Sequence, residues 1–321
     1  MAMFDLRGSE LRSYKSSVEP PTDLEEFWSA TLAAAREHTG APTLTPVATP
    51  LRLIETFDLT FPGFGGDPIR GWLHRPAGAT EALPGVVEYR GYGGGRGLAH
   101  EGARWAMAGY VHVVMDSRGQ GSSGLVGDTP DPNAGAPAHA GVMTRGILDR
   151  DEYYYRRLFT DAARAIDAVR SLPMVDADRV AVAGASQGGG ISIAAAALTP
   201  DLAGAVIDVP FLCDIRRATE ISDRDPYGEI VRYLKAHRDH TDPAFETLRY
   251  FDGSVLAGLG TAPALFSVAL MDEVCPPSTV YAAYNAYAGP KEIHEYPYNQ
   301  HEGGQAFHEL TAMTWLAERV S

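Results

Sequence analysis

The stretch Ala181-Val182-Ala183-Gly184-Ala185-Ser186-Gln187-Gly188-Gly189-Gly190 sets one hydroxyl among residues with little or no side chain. Its centre, Gly184-Ala185-Ser186-Gln187-Gly188, fits G-x-S-x-G, in which a serine sits on a sharp turn from strand to helix with its Oγ exposed. Glycines at 184 and 188 remove the side chains that would collide with such a turn, and the surroundings hold the strained serine backbone. The competing meaning is a packing point in a tight glycine turn. Context separates the two, because a nucleophile of this kind needs a strand before it and a helix after it. "DRVAVAGAS" reads as that strand and "GGGISIAAAAL" as that helix.

A serine hydroxyl attacks at neutral pH only with a base beside it and an acid to orient the base. On this type of elbow both come later in the chain, acid before histidine. "VALMDEVCPP" places Asp272 directly after a strand, and "YPYNQHEGG" places His301 on the loop after the last one. Glu273 is the alternative acid next door, and Asp208 and Asp214, near the end of the preceding strand, are second choices. His294 lies inside "KEIHEYP" and His308 on the closing helix, positions that suit core or surface roles. The tetrahedral intermediate also needs N–H donors for its oxyanion. The backbone of Gln187 is one candidate, and Tyr92, in the loop "RGYGGGRG" after "LPGVVEY", is the other. That loop competes as a phosphate cradle, since Gly91, Gly93 and Gly95 cluster there, but it lacks the Lys-Ser/Thr ending and an acidic ribose partner. In "DSRGQGSSG", Arg118 and Gln120 are expected to brace neighbouring loops and not to catalyse. No metal or cofactor is expected. "HEGGQAFH" is not H-E-x-x-H, and His237 and His240 in "HRDH" lack a third ligand.

A scaffold must bring these distant groups together. The 321 residues are 45% hydrophobic, enough for one large core, and the net charge of −14 repels phosphates. Nucleic-acid binding and anionic membranes are therefore not expected. Cys213 and Cys275 form neither a disulfide framework nor a zinc pattern. "MAMFDLRGSELRSYKS" lacks the apolar core of a secretory signal, and no apolar run approaches ~18 residues, so a cytoplasmic protein is expected. Residues 1–40 read as an arm. Its helix in "PPTDLEEFWSATLAAARE" would be capped by Thr22 or Asp23 and apolar at Phe27 and Leu32. "TGAPTLTPVATP" reads as a linker. Two antiparallel strands, "LRLIETFDLTFP" and "IRGWLHRP", follow through "GFGG". Strands then alternate with the helices "LAHEGARWAMA", "RRLFTDAARAIDAVRSL", "GGGISIAAAAL" and "PSTVYAAYNAYAG". The closing helix carries Phe307, Leu310, Met313, Ala317 and Val320 at helical spacing. This alternation predicts a single α/β domain over 1–321, a mostly parallel sheet between helical layers, with its chemistry at the strands' carboxyl ends. Residues 211–260, between the sixth and seventh strands so counted, are too many for a crossover. They read as a helical insertion at the active-site rim, shaping access.

Taken in order, these motifs resemble the acetyl xylan esterase and cephalosporin-C deacetylase family, carbohydrate esterase family seven of the α/β-hydrolase superfamily. The resemblance covers nearly the whole chain: "MFDL…ELRSYK" and "DLEEFW" in the arm, the RGQ of "DSRGQGSSG", "RGILDRDEYYYRRLFTDAARA", "GASQGGG", "DEVCPPSTVYAAYN" and His301-Glu302. It implies Ser186 as nucleophile, His301 as base, Asp272 as orienting acid, and the Tyr92 and Gln187 amides as oxyanion donors. Where the family commonly has Phe-His-Gly-Tyr, this chain has Tyr89-Arg90-Gly91-Tyr92, a departure that bears on the pocket wall. The resemblance further implies removal of acetyl groups from small esters such as acetylated xylo-oligosaccharides and cephalosporin C, and a homo-oligomer, commonly a hexamer; perhydrolysis, acyl transfer to peroxide, is a side activity the same site would allow. A prolyl-type serine peptidase and a catalytically silent binding module are the competing functions on the same scaffold.

Overall fold

Valine- and isoleucine-rich runs separated by glycine- and proline-bearing turns give one sheet of nine strands. The computed structural model describes residues 4–132, 134–139 and 141–320, so residues 1–3 of the expected arm lie outside the described residues. The strands are β1 (Thr43–Val47), β2 (Ile54–Pro62), β3 (Pro68–Pro76), β4 (Leu83–Tyr89), β5 (Val111–Met115), β6 (Val175–Ala185), β7 (Gly204–Asp208), β8 (Ala264–Ala269) and β9 (Lys291–Tyr296). Their order across the sheet is β1-β2-β3-β5-β4-β6-β7-β8-β9. Pairings from β1 to β5 are antiparallel, and those from β5 across to β9 are parallel. This is the α/β-hydrolase fold. Parallel strands are covered on both sides and so are apolar on both sides. Val87, Val180 and Val182 enter the core under α2 (Leu24–Arg36), α4 (Tyr154–Arg170) and α5 (Gln187–Leu198). Val86, Ala181 and Ala183 face a smaller core with Trp105 of α3 (Arg104–Met107) and Trp315 of α11 (Gln305–Val320).

Three features differ from the sequence reading. The expected linker contains β1, an edge strand whose Thr43–Val47 pair with Thr56–Thr60. Pro46 is tolerated there because an edge strand has a row of N–H groups with no ladder partner to supply. The insertion consequently falls between the seventh and eighth strands of the sheet, not the sixth and seventh. Second, the helix expected from Leu98 is reduced to Arg104–Met107, because Gly102 takes φ +70° immediately before it. Third, α11 turns inward a stripe that keeps Val320 and, in part, Met313 of the expected set but not Phe307, Leu310 or Ala317. Phe307 and Leu310 are 83% and 68% exposed, whereas His308, Ala312, Trp315, Leu316 and Val320 are buried. Both stripes have helical spacing, so periodicity alone did not choose between them.

The insertion holds α6 (Ile215–Ile221), α7 (Tyr227–Ala236), α8 (Thr241–Leu248) and α9 (Gly253–Leu256), and a buried carboxylate ties the start of α6 to that of α9. Asp252 accepts N–H groups from Asp214, Ile215 and Ser254 at 2.7–2.8 Å, and burial pushes its pKa up to about 6. The arm spans the insertion and the last strands. Phe27 meets Tyr250 and Phe251 edge-on, and the Trp28 indole N–H donates to the Tyr250 carbonyl. Asp23 holds the N-cap position without capping. Its carboxylate accepts from Arg150 and from the Tyr250 hydroxyl instead. Upstream, beside α1 (Gly8–Arg12), Asp5 accepts from the Ser278 N–H of α10 (Pro277–Ala286), and Arg12 forks onto Glu295 of β9 at 2.7 Å for both bonds.

Candidate active site

The elbow forms where β6 ends. Ser186 has φ 58° and ψ −120°, its N–H donates to the Asp208 carbonyl, and its carbonyl accepts from Phe211. The turn closes because two positions lack a Cβ. One at Gly184 would stand 2.3 Å from the Gly188 carbonyl oxygen, and one at Gly188 would stand 2.2 Å from that of Tyr89. Those contacts bring the end of β4, and the loop that follows it, against the first turn of α5.

Three side chains meet at this turn. His301 Nε2 lies 2.9 Å from Ser186 Oγ, and its Nδ1 lies 2.9 Å from Asp272 Oδ2. Asp272 is wholly buried, and its other oxygen accepts the N–H groups of Val274 and Cys275 at 2.8 and 2.9 Å, which fixes the carboxylate plane. The alternatives lie elsewhere. Glu273 turns to Arg224 at the surface of the insertion, and Asp214 accepts from the Tyr14 hydroxyl. Asp208 accepts from Ser267. His308 is buried against the Tyr296 hydroxyl, and His294 lies edge-on beside it. His237 and His240 stack on each other in the insertion, rings 4.9 Å apart.

Gln187 opens α5, so its N–H has no intrahelical acceptor. Its side chain is locked, accepting from Tyr155 and Gln120 and donating to the Arg90 carbonyl. Gln120 joins both sides of the site: its Oε1 accepts the Gly93 N–H at 2.6 Å, and its Nε2 reaches Gln187 and Tyr154. Tyr92 is held by its hydroxyl, which donates to both Glu229 oxygens at 2.8 and 2.9 Å and accepts the N–H groups of Gly141 and Val142. Burial raises both the Tyr92 phenol and the Glu229 carboxyl above their usual ranges. The departing pair points its polar ends away from this loop, Tyr89 to the Ala162 carbonyl and Arg90 to Glu88. Arg118 is wholly buried and forks onto Asp161 at 2.6 and 2.8 Å, with Asp67 at 2.9 Å. It braces α4 and the β2–β3 turn. Glu229, Tyr154, Tyr155 and Cys275 escaped the sequence reading. The run of three tyrosines at 153–155 was a usable signal, since a buried phenol seeks a partner.

Two expected results follow from these contacts. Arg118→Leu strands the buried Asp161 carboxylate and should lower unfolding free energy by about 3–5 kcal/mol, read by urea denaturation. Tyr92→Phe removes a hydroxyl that satisfies two N–H groups and should cost about 1–3 kcal/mol. The backbone amide survives that change, so kcat on an acetyl ester should stay within about tenfold. A larger kcat loss without loss of stability would place the phenol itself in the chemistry.

The acetyl xylan esterase (AXE1) family model matches residues 1–319. The chain is 28% identical over 317 residues to acetyl esterase Axe7A of Xylanibacter ruminicola, covering 95% of this chain and 69% of that one. Its structure superposes on an acetyl xylan esterase from Paenibacillus sp. R4 with TM-score 0.90 and 38% identity, over 98% of this chain and all of that one. For acetyl xylan esterase 1 from Thermoanaerobacterium sp. JW/SL YS485 the values are 0.89 and 33%, over 99% and 100%. With the family model spanning the chain and both solved relatives covered end to end, this carboxylic ester hydrolase belongs to the acetyl xylan esterase family.

Proposed function

We propose that the enzyme removes acetyl groups from small esters by a two-step serine mechanism. The observation that carries this reading is the pair of 2.9 Å contacts joining Ser186, His301 and Asp272 at the elbow. In the first step Ser186 Oγ attacks the acetyl carbonyl while His301 Nε2 takes its proton. The tetrahedral oxyanion is held by the Tyr92 and Gln187 backbone N–H groups. His301 then passes the proton to the departing alcohol, leaving Ser186 acetylated. Water, deprotonated by the same imidazole, repeats the cycle and releases acetate. Asp272 keeps the tautomer with Nδ1–H toward itself and stabilises the imidazolium as it forms.

The substrates proposed are acetylated xylo-oligosaccharides and cephalosporin C, in a cytoplasmic, homo-oligomeric enzyme. A short acyl pocket is proposed beside Tyr92, whose ring is backed by the buried Phe211, centroids 6.1 Å apart, and Phe211 in turn by the buried Tyr227 at 4.3 Å. Each methylene admitted or refused by such a wall changes selectivity by roughly 1–3 kcal/mol. The test is a panel at equal concentration: acetylated xylo-oligosaccharides, cephalosporin C, p-nitrophenyl esters from acetyl to octanoyl, and an aminoacyl anilide. A steep fall with chain length and hydrolysis of the first two are expected. A flat acyl profile removes the closed pocket, and faster cleavage of the anilide than of acetyl esters removes the deacetylase reading.

A further inference from the structure

Cys275 takes no part in the mechanism above, yet its thiol shares the catalytic corner. It is wholly buried and follows Asp272 in the turn whose N–H groups clamp that carboxylate. One ligand atom each from Asp272, Cys275 and His301 can be chosen so that all three lie within 4.8 Å of one another. A carboxylate oxygen, an imidazole nitrogen and a sulfur are donors that zinc accepts, and the sulfur favours thiophilic cations over magnesium or calcium. Tetrahedral zinc, with bonds of about 2.0–2.3 Å, sets its ligand atoms about 3.3–3.8 Å apart. The widest ligand pair, up to 4.8 Å apart, must therefore close by as much as about an ångström, while the Asp272–His301 pair, at 2.9 Å, opens slightly. His301 can supply that movement, being one-third exposed and followed at 303 by a glycine with φ +59°.

We propose that Asp272, Cys275 and His301 form a binding site for thiophilic divalent cations, zinc and cadmium among them, that switches the esterase off. Coordination releases the thiol proton to solvent and forms a metal–sulfur bond, with no change of oxidation state. The metal also takes the carboxylate and the lone pair of His301 Nδ1, whose proton shifts to Nε2, so Nε2 cannot accept the Ser186 proton and the Nδ1–H bond to Asp272 is gone. Entry requires His301 to move aside, because the thiol has no solvent exposure, so inhibition should develop slowly. The inhibition rests on His301 being the base; the binding does not.

The experiment uses the full chain, freed of metal by chelation and titrated separately with cadmium, zinc and magnesium. Binding is followed by the ultraviolet thiolate-to-cadmium charge-transfer band, and activity by p-nitrophenyl acetate hydrolysis. One thiolate-bound cadmium per chain and a slow loss of at least tenfold in rate are expected for cadmium, the same loss for zinc, and neither for magnesium, with recovery on adding chelator. Cys275→Ser and Cys275→Ala should each abolish the band and raise the half-inhibitory concentration at least tenfold relative to their own metal-free rates. Cys213→Ser, at the other buried thiol, and a His237→Gln/His240→Gln double variant should keep both effects. A band or inhibition that survives in both Cys275 variants overturns the site, as does loss of inhibition in the double histidine variant. A band at Cys275 with unimpaired hydrolysis overturns the switch. Failure of the esterase reading itself would appear separately, as a metal-free protein that does not hydrolyse the ester.

Discussion

Ser186→Ala should lower kcat on p-nitrophenyl acetate by about 10⁴–10⁶-fold, leaving a residual rate that comes from the oxyanion donors and binding alone. The size follows from what is lost. No other hydroxyl stands 2.9 Å from His301 Nε2 among the described residues, so the acetyl-enzyme cannot form and water must attack directly. The fold should survive, since Ser186 holds its neighbours through backbone bonds to Asp208 and Phe211 that alanine can still make. Its positive φ adds a modest strain to the alanine variant. Labelling by a fluorophosphonate, stoichiometric in the parent and absent in the variant, calibrates the measurement. An alanine variant working at near the parent rate would refute the serine mechanism.

The second large effect is at the carboxylate. Asp272→Asn should lower kcat on the order of 10⁴-fold with little change in KM. An amide is similar in shape but cannot stabilise the imidazolium, and it can hold the ring in the wrong tautomer. At this site it has a further disadvantage. The buried carboxylate takes two backbone N–H groups on one oxygen and the imidazole on the other. An amide satisfies the first pair only by turning its NH₂ toward His301. Glu273→Gln is the control that separates the neighbours. Glu273 pairs with Arg224, whose side chain is 61% exposed, and such pairs contribute little. Its rate should change by less than about threefold, whereas a collapse at 273 with activity retained at 272 would reverse the assignment.

The candidate catalytic rim can be read from the sequence because its signals are local. A glycine pair around a serine, an acid directly after a strand and a histidine on the last loop each announce themselves within a few residues, and the parallel sheet turns their order into proximity. What stayed hidden depends on partners far away in the chain. Glu229 is an ordinary helix residue until its helix meets Tyr92, which lies 137 positions earlier. Arg118 could be recognised as a brace, but not that Asp161 and Asp67 are what it braces. Cys275 looked like a thiol without a task because nothing local places its sulfur near His301. The strand Thr43–Val47 was concealed by its proline, which argues against a central strand but not against an edge. On α11 two stripes compete, and Phe307 and Leu310 stay outside because Trp315 and Leu316 fill the smaller core.

The fastening of the arm has a bearing on how the molecule is made. Arg12 leaves the ribosome 283 residues ahead of Glu295, the carboxylate it grips, and Asp5 likewise waits for Ser278. Domains condense from the amino-terminal side as synthesis proceeds. The segment around Leu11 therefore has no Glu295 to grip until β9 has been made. Its arrival records that β9, which leads into the loop bearing His301, is in place.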